Sequence, residues 1–404
     1  MHISDTGVFR AFRHRNFRLF VVGQLASLTG TWAQRMAVGW LAWDLTHSAF
    51  WVGAVSFAGL FPGVLAGPLA GSVADSMSRL RLLKLTQWAF LVQAAVLAGL
   101  TIGGWISLPV LLVLETLLAI ITAFDIPVRQ AFVIEMVGKD DLANAIAINS
   151  TTVNIARMLG PAIAGVIIVT IDLGEAFLFN SLTYVAVLAS LAMMRLAPRT
   201  VERRSQRLRA HVTEGLRYAW GEKGIRTYLL LFFVVAFFGM PYGTLMPVVA
   251  EQRFGMGAVG LSWLVAGSGF GATVGAMLLA ARKHVTGLTR MLFVSAMGFG
   301  GSLVIFALIQ DFTLAVLFIP ICGFGMMMQM AGNNILLQTN VEEAQRGRVM
   351  SLLSMSFQLA MPLGSLWMGT VAEHFGEHVS LLSGGVLSML AVAILAVRSR
   401  PGRA

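Results

Sequence analysis

Three charges stand where charge is costly. Arg35, Glu115 and Arg157 each fall well inside an apolar run, where a charge costs about 2.5–3.5 kcal/mol on insertion scales and so must face a cavity or meet a partner. Arg35 shares a helical stripe with Gln24, Leu28 and Thr31, and Glu115 shares one with Ala119 and Thr122. An arginine and a carboxylate in low dielectric form either a permanent structural ion pair or a device that loads and unloads a proton as the pair opens and closes. The second reading makes Glu115 the proton-carrying or cation-recognising group, with Arg35 tuning it or contacting an anionic molecule. Arg157 calls for the same choice, with Glu115 or Asp125 as candidate partners and a gating or structural role.

The elements that carry these residues are membrane spans. Of 404 residues, 57% are hydrophobic and only 12% charged, about half the charge of an ordinary soluble domain, and the mean hydropathy is +0.78. Apolar runs between charged or turn-rich breaks predict twelve helices, near 17–44, 48–74, 80–103, 107–126, 143–171, 175–196, 227–250, 257–281, 289–310, 313–338, 348–373 and 378–397. The fold class is therefore an all-α, multi-pass membrane protein. Residues 1–16 are polar and basic and no small-residue cleavage site follows, so the first span is expected to stay in the mature protein.

The net charge of +10 does not mark a nucleic-acid binder, because the basic residues are dispersed among loops. All 29 lysines and arginines except Arg35, Arg157 and Arg253 fall on alternate connections, while the opposite connections carry Asp44, Asp172, Glu175, Glu251, Asp311, Glu373 and Glu377. The positive-inside rule then predicts both termini in the cytoplasm, and the expected location is the cytoplasmic (inner) membrane. With that orientation Arg35 sits about 13 Å from the end of span one, and Glu115 about 12 Å into span four from the same face. The two are at matching depth.

The longest connection, 197–226, is rich in arginine and continues into an amphipathic stretch with Val212, Leu216, Tyr218 and Trp220, as a surface helix would. It predicts a basic linker between an N-terminal six-helix half, 1–196, and a C-terminal half, 227–404. A shift of 201 residues lays Gly160-Pro161 over Met361-Pro362 and Arg157 over Gln358, at the same place in spans five and eleven, which fits two related halves.

Several motifs give the chain a resemblance. Gly71-Ser-Val-Ala-Asp75-Ser-Met-Ser-Arg79-Leu-Arg81 lies between spans two and three. Arg157-Met-Leu-Gly160-Pro161-Ala-Ile-Ala164-Gly165 lies in span five, and Asp125-Ile-Pro127-Val-Arg129-Gln130-Ala131 follows span four. The first resembles the loop motif of the major facilitator superfamily, with Ser76, Ser78 and Leu80 departing from it. The second is similar to the antiporter motif of its exporters, with Ala156 and Ala164 replacing glycines. The third resembles the branch containing enterobactin exporters and macrolide efflux proteins. The resemblance implies a latch role for Asp75 and Arg79, gating roles for Gly71, Arg129, Arg157, Gly160, Pro161 and Gly165, and a central path lined by spans one, four, seven and ten. That path would bring Arg35 and Glu115 to one cavity with Gln24, Thr31 and Thr122, and would add Tyr242 from span seven and Gln329 and Asn333 from span ten. Asp125 joins Glu115 and Arg35 as a proton-coupling candidate. For the small-residue motifs the plain alternative is close helix approach or a kink, and for the aromatic and methionine runs it is packing.

An enzyme is not expected. All seven histidines lie in termini, loops or span ends, and Gly376 interrupts the His374–His378 pair. The single cysteine, Cys322, forms no intramolecular disulfide, and no Walker A sequence is present. Neither cofactor nor metal is called for. The expectation is a monomeric secondary transporter, with a small-molecule substrate, protons and the bilayer as partners, that exports an amphipathic siderophore or drug by proton antiport. The alternatives are an importer or lipid translocator of the same fold, and a non-transporting membrane sensor.

Overall fold

The computed structural model describes residues 10–138, 140–195, 217–282 and 287–399, without the side chains of residues 75, 344 and 399. Most of the 197–226 linker, including Val212 and Leu216, lies outside the described residues. The described residues are helical and turn-linked, with no strand among them. A 3₁₀ turn, Arg10–Arg13, leads into α1 (Arg15–Thr46), α2 (Ala49–Ala58), α3 (Phe61–Ser76), α4 (Arg79–Ile102), α5 (Leu108–Val137), α6 (Leu142–Thr170) and α7 (Leu173–Ala192). The second series is α8 (Lys223–Phe238), α9 (Gly257–Ala280), α10 (Leu288–Leu308), α11 (Phe312–Asn340), α12 (Glu343–Phe375) and α13 (Glu377–Ser399).

Eleven helical stretches among the described residues are long and apolar enough to cross a membrane. The twelfth expected span, α1, is a 32-residue helix whose run of apolar residues is broken by Gln24, Gln34 and Arg35 and flanked by Arg15, Arg18 and Asp44. It is long enough to cross, and its polarity is what separates it from the other eleven. Span four also runs further than hydropathy predicts, through Pro127 to Val137, because the polar residues of its last turns pair instead of ending the helix.

Two breaks interrupt the apolar stretches, and each has a local cause. Span two stops at Gly59 and restarts at Phe61, with Pro62 in the first turn of α3, where a missing N–H costs nothing. Span seven, Lys223–Arg253, passes from α8 into a 3₁₀ turn, Met240–Leu245, a short α segment and a π turn, Val249–Arg253. Pro241 and Pro247 remove two amide donors there, so the helical register relaxes.

The chain divides into two compact units, Met1–Leu41 with Pro62–Ser205 and Ala42–Phe61 with Gln206–Ala404. In the first, α4 packs on α5 and α7, and α6 on α5 and α7. Gly30 lets α1 meet Asn180 and Thr183 of α7, and Gly160 lets α6 meet Thr29, Trp32 and Ala33 of α1, where a Cβ would come within 2.6 Å of the Thr29 carbonyl. A core of Phe17, Phe20, Leu83, Phe132, Val187 and Leu191 fills the space below them.

In the second unit α9 packs along α11, and α10 along α11 and α13. Gly271 lies against the Pro320 backbone and Gly323 against that of Ser268, so these two helices touch main chain to main chain. The α2 segment belongs to this unit. It crosses α12 where Gly53 faces Gly369, and a Cβ on either would come within 2.6 Å of a carbonyl of the other helix. Its N-terminus is capped by Ser48, and the Glu373 carboxylate accepts from Ser48 Oγ at 3.0 Å and the Phe50 amide at 3.2 Å.

Candidate functional site

The first unit gathers polar side chains from α1, α4, α5, α6 and α7 into two linked groups. One is centred on Asp125. Its carboxylate, 1% exposed, accepts hydrogen bonds from Thr86 Oγ1 at 2.9 Å and Gln87 Nε2 at 2.8 Å and pairs with Arg129 at 2.7 Å, one helical turn along α5. Arg129 in turn donates to Gln24 Oε1 of α1 at 3.0 Å. The charge of Asp125 is thus offset on several sides, as a buried charge requires.

The other group is centred on Trp32. The guanidinium carbons of Arg35 and Arg157 lie 5.2 and 4.8 Å from the indole centroid, within the range of a cation over an aromatic face. Glu115 is buried beside this group, and its charge interacts with that of Arg35. The two make no ion pair within 4.0 Å, and no hydrogen-bond partner among the described residues reaches Glu115 Oε1. The expected direct pairing of Arg35 with Glu115 is therefore an interaction across a gap. Arg157, for which Glu115 or Asp125 was the expected partner, lies over Trp32.

Between the two groups runs a ladder of neutral polar residues. Thr31 Oγ1 and the Tyr184 hydroxyl are 3.0 Å apart, Tyr184 stacks on Phe90, Asn180 donates to Gln34 Oε1 at 2.7 Å, and Gln34 donates to Gln93 Oε1 at 3.1 Å. The predicted stripe of α1 is thereby placed residue by residue, with Gln24 on α5, Thr31 on α7 and Arg35 beside Glu115. Thr122 bonds back to the Leu118 carbonyl of its own helix at 2.7 Å. Trp32, Gln34, Thr86, Gln87, Gln93 and Asn180 were not singled out in the sequence. For the four amides a signal was present, since amides in apolar spans seek an interior for the same reason charges do.

The motif residues are also placed. Arg79 pairs with Glu135 at 2.9 Å and donates to the Ala131 carbonyl at 2.9 Å, tying α4 to the last turns of α5. The side chain of Asp75, the other half of the expected latch, lies outside the described residues. A Cβ on Gly71 would meet open space. Pro161 and Gly165 are buried within α6. The 3₁₀ turn is strapped to the start of α6, where Asp141 binds His14 at 2.8 Å, Arg13 at 2.7 Å and Arg10 at 3.3 Å. The hydrogen bond from His14, together with the guanidinium groups of Arg13 and Arg10, holds the Asp141 carboxyl below its usual range against the opposing effect of burial.

In the second unit the candidates sit in neutral surroundings. The Tyr242 hydroxyl and Ser268 Oγ are 2.6 Å apart. Gln329 donates to the Leu292 carbonyl at 2.9 Å and Ser295 Oγ at 2.7 Å, and Asn333 donates to the Gln329 carbonyl at 2.9 Å. Both amides are fully buried between α10 and α11. The buried ion pair of this unit, Arg253 with Glu377, lies at the helix ends, with Arg253 also donating to the Phe306 carbonyl at 2.9 Å. Among the described residues no group of three or more His, Cys, Asp and Glu could hold a metal.

Buried charges at depth in one helical unit, neutral polar residues at depth in a second, and small-residue crossings in both fit a membrane carrier. The family model of transmembrane secretion effectors, part of the major facilitator superfamily, matches residues 6–402. The chain belongs to that family. It is 28% identical to the staphyloferrin A transporter of Staphylococcus aureus over 353 residues, covering 86% of this chain and 87% of that one. It is 24% identical to the multidrug efflux pump Tap of Mycolicibacterium fortuitum, with 94% of each covered, and 25% identical to macrolide efflux protein A of Streptococcus pyogenes, covering 92% and 93%. The fold is that of the nucleoside transporter NupG (TM-score 0.77, 12% identity, 96% and 99% covered) and of a bacterial homolog of the human lysosomal transporter Spinster (TM-score 0.75, 16% identity, 95% and 97% covered). This is a multi-pass membrane transporter with siderophore and drug efflux proteins among its relatives, and its family is not one of enzymes.

Proposed function

We propose that this facilitator exports an amphipathic organic molecule, a siderophore or a hydrophobic drug, from the cytoplasm by proton antiport, alternating access between two six-helix halves joined by the basic linker. Twelve spans with both termini in the cytoplasm, in the cytoplasmic membrane, complete the reading, and α1 is the twelfth. The cargo direction and class are supported by relatives named for staphyloferrin A transport, multidrug efflux and macrolide efflux.

The observation that carries proton coupling is the contrast between two carboxylates on α5. Asp125 is held by three partners, whereas Glu115 is buried with its Oε1 unbonded and Arg35 near but apart. A carboxylate offset by a cation that does not touch it exchanges its proton when that cation moves, while one fixed in a network does not. Arg35 and Arg157, both over Trp32, would then contact an anionic cargo, whereas Glu115 would be the binding charge for a cationic one. Tyr242, Gln329 and Asn333 shape the second half's share of the path or its packing.

The test is proton flux in proteoliposomes challenged with siderophores and with cationic or neutral drugs, for wild type and Glu115→Gln. Cargo-dependent proton movement, abolished by the substitution while the protein still folds, is the expected result. Unchanged coupling in the variant would remove Glu115 as carrier, and cargo movement without protons would point to another gradient.

A further inference from the structure

A cleft of about 370 Å³ opens at the start of α1, lined by His14, Arg15, Asn16, Met136 and Arg195. Among the described residues no acidic side chain lines it. Two of its walls are fixed by the seam between α1 and α7. Arg15 Nη1 donates to the Met193 carbonyl at 3.1 Å, and Asn16 clasps the Arg195 backbone, donating to its carbonyl at 2.8 Å and accepting from its amide at 3.3 Å. These bonds account for Arg15 and Asn16 as stitches that satisfy the open end of α7. They do not account for the Arg195 side chain, which makes no hydrogen bond or ion pair with a described residue, or for the remaining donors of the Arg15 fork, since a guanidinium carries five N–H groups.

The nearby carboxylate does not neutralise these groups. Asp141 is taken by Arg10, Arg13 and His14. The first amides of α1 add unspent donors at the positive end of a 32-residue helix, while Met136 supplies one apolar wall. Connectivity puts the cleft at the end of the unit where Arg79, Arg81 and Lys84 also lie. Basic pockets between helices on that side of a membrane protein suit phosphate-bearing headgroups.

We propose that this cleft binds a phosphate-bearing anion through Arg15, Arg195 and the first turn of α1, of the kind presented by an acidic phospholipid headgroup or by a soluble phosphate compound. The site is separate from the charged groups around Trp32 and Asp125, and it would clamp the beginning of α1 to the end of α7.

The experiment uses the purified, delipidated full chain in detergent, with binding read by native mass spectrometry and thermal stability. The probes are phosphatidylglycerol, phosphatidylcholine, glycerol 3-phosphate and inorganic phosphate, and the proteins are wild type, Arg195→Gln and Arg15→Gln. Phosphatidylglycerol should bind and stabilise wild type where phosphatidylcholine does not, and each substitution should weaken it about five-fold. Protection by phosphatidylglycerol alone assigns the lipid as source, and equal protection by glycerol 3-phosphate or inorganic phosphate assigns a soluble one. Arg15→Gln also loses the Met193 stitch, so if it fails to fold, Arg195→Gln carries the test. Equal binding of the two lipids, or wild-type affinity in Arg195→Gln, overturns the proposal.

Discussion

The two units solve the problem of polar groups in a membrane differently. The first places Arg35, Glu115, Asp125, Arg129 and Arg157 at depth and ties most of them into a network with amides and hydroxyls. In the second the buried polar residues at depth are neutral, Tyr242, Gln329 and Asn333 among them, and its buried ion pair stands at the helix ends. Charge that can change its partner is useful for coupling and costly for stability. Neutral hydrogen bonds cost less and carry no proton. Under the proposed function, coupling belongs to the first unit and the second serves cargo shaping and packing.

That assignment can be broken in several ways. Asp125→Asn should have the largest effect, because Arg129 is left without its counter-charge and the Gln24 contact loses its anchor. The expected loss is about 3–5 kcal/mol of stability, read as a lower melting temperature in detergent, along with impaired transport. Glu377→Gln strands the buried Arg253 and should cost about 3 kcal/mol, yet leave the pH profile of transport unchanged; an altered profile would give the second unit a share in coupling. Pairing it with Arg253→Met should recover part of that loss, since well-packed apolar replacements of a buried pair are often neutral.

Smaller effects sharpen the contrast. Gln329→Leu leaves Ser295 without its donor and should cost about 1–2 kcal/mol, with the ratio of protons to cargo unchanged in flux assays. Asp141→Asn should have the least effect and a distinctive pH signature. Because the folded carboxyl is held below its usual range, its contribution is complete above the unfolded value, about pH 4, and is lost as pH falls through the lower folded value. The melting-temperature gap between wild type and variant should therefore be present above about pH 4 and close below it.

Span positions were legible in the sequence because hydropathy is a one-dimensional property, and most helices begin and end within a few residues of the expected places. The exceptions are those where tertiary partners decide: α5 continues to Val137 because Arg129 and Glu135 find partners, and span two breaks at Gly59. The charged site was legible as a set of expensive residues. Its pairing was not, because which side chains meet depends on the rotation of each helix and on close approaches such as Gly160 on Trp32. Sequence spacing carries the stripe on α1 but says nothing of the face α4 presents, so Thr86 and Gln87 were missed as the partners of Asp125. The Trp32 platform was hidden for the same reason, since an indole in an apolar run looks like any other packing residue.

The α2 segment has a consequence for how the chain is made. Its cap, Ser48, meets Glu373 across 325 residues of sequence. At roughly 5–20 residues per second that interval takes roughly 15–65 s of synthesis, during which the Phe50 amide and the Gly53 face have no acceptor and no helix to rest on. The second span is made early, and its Gly53 face gains its packing partner only when the eleventh span arrives.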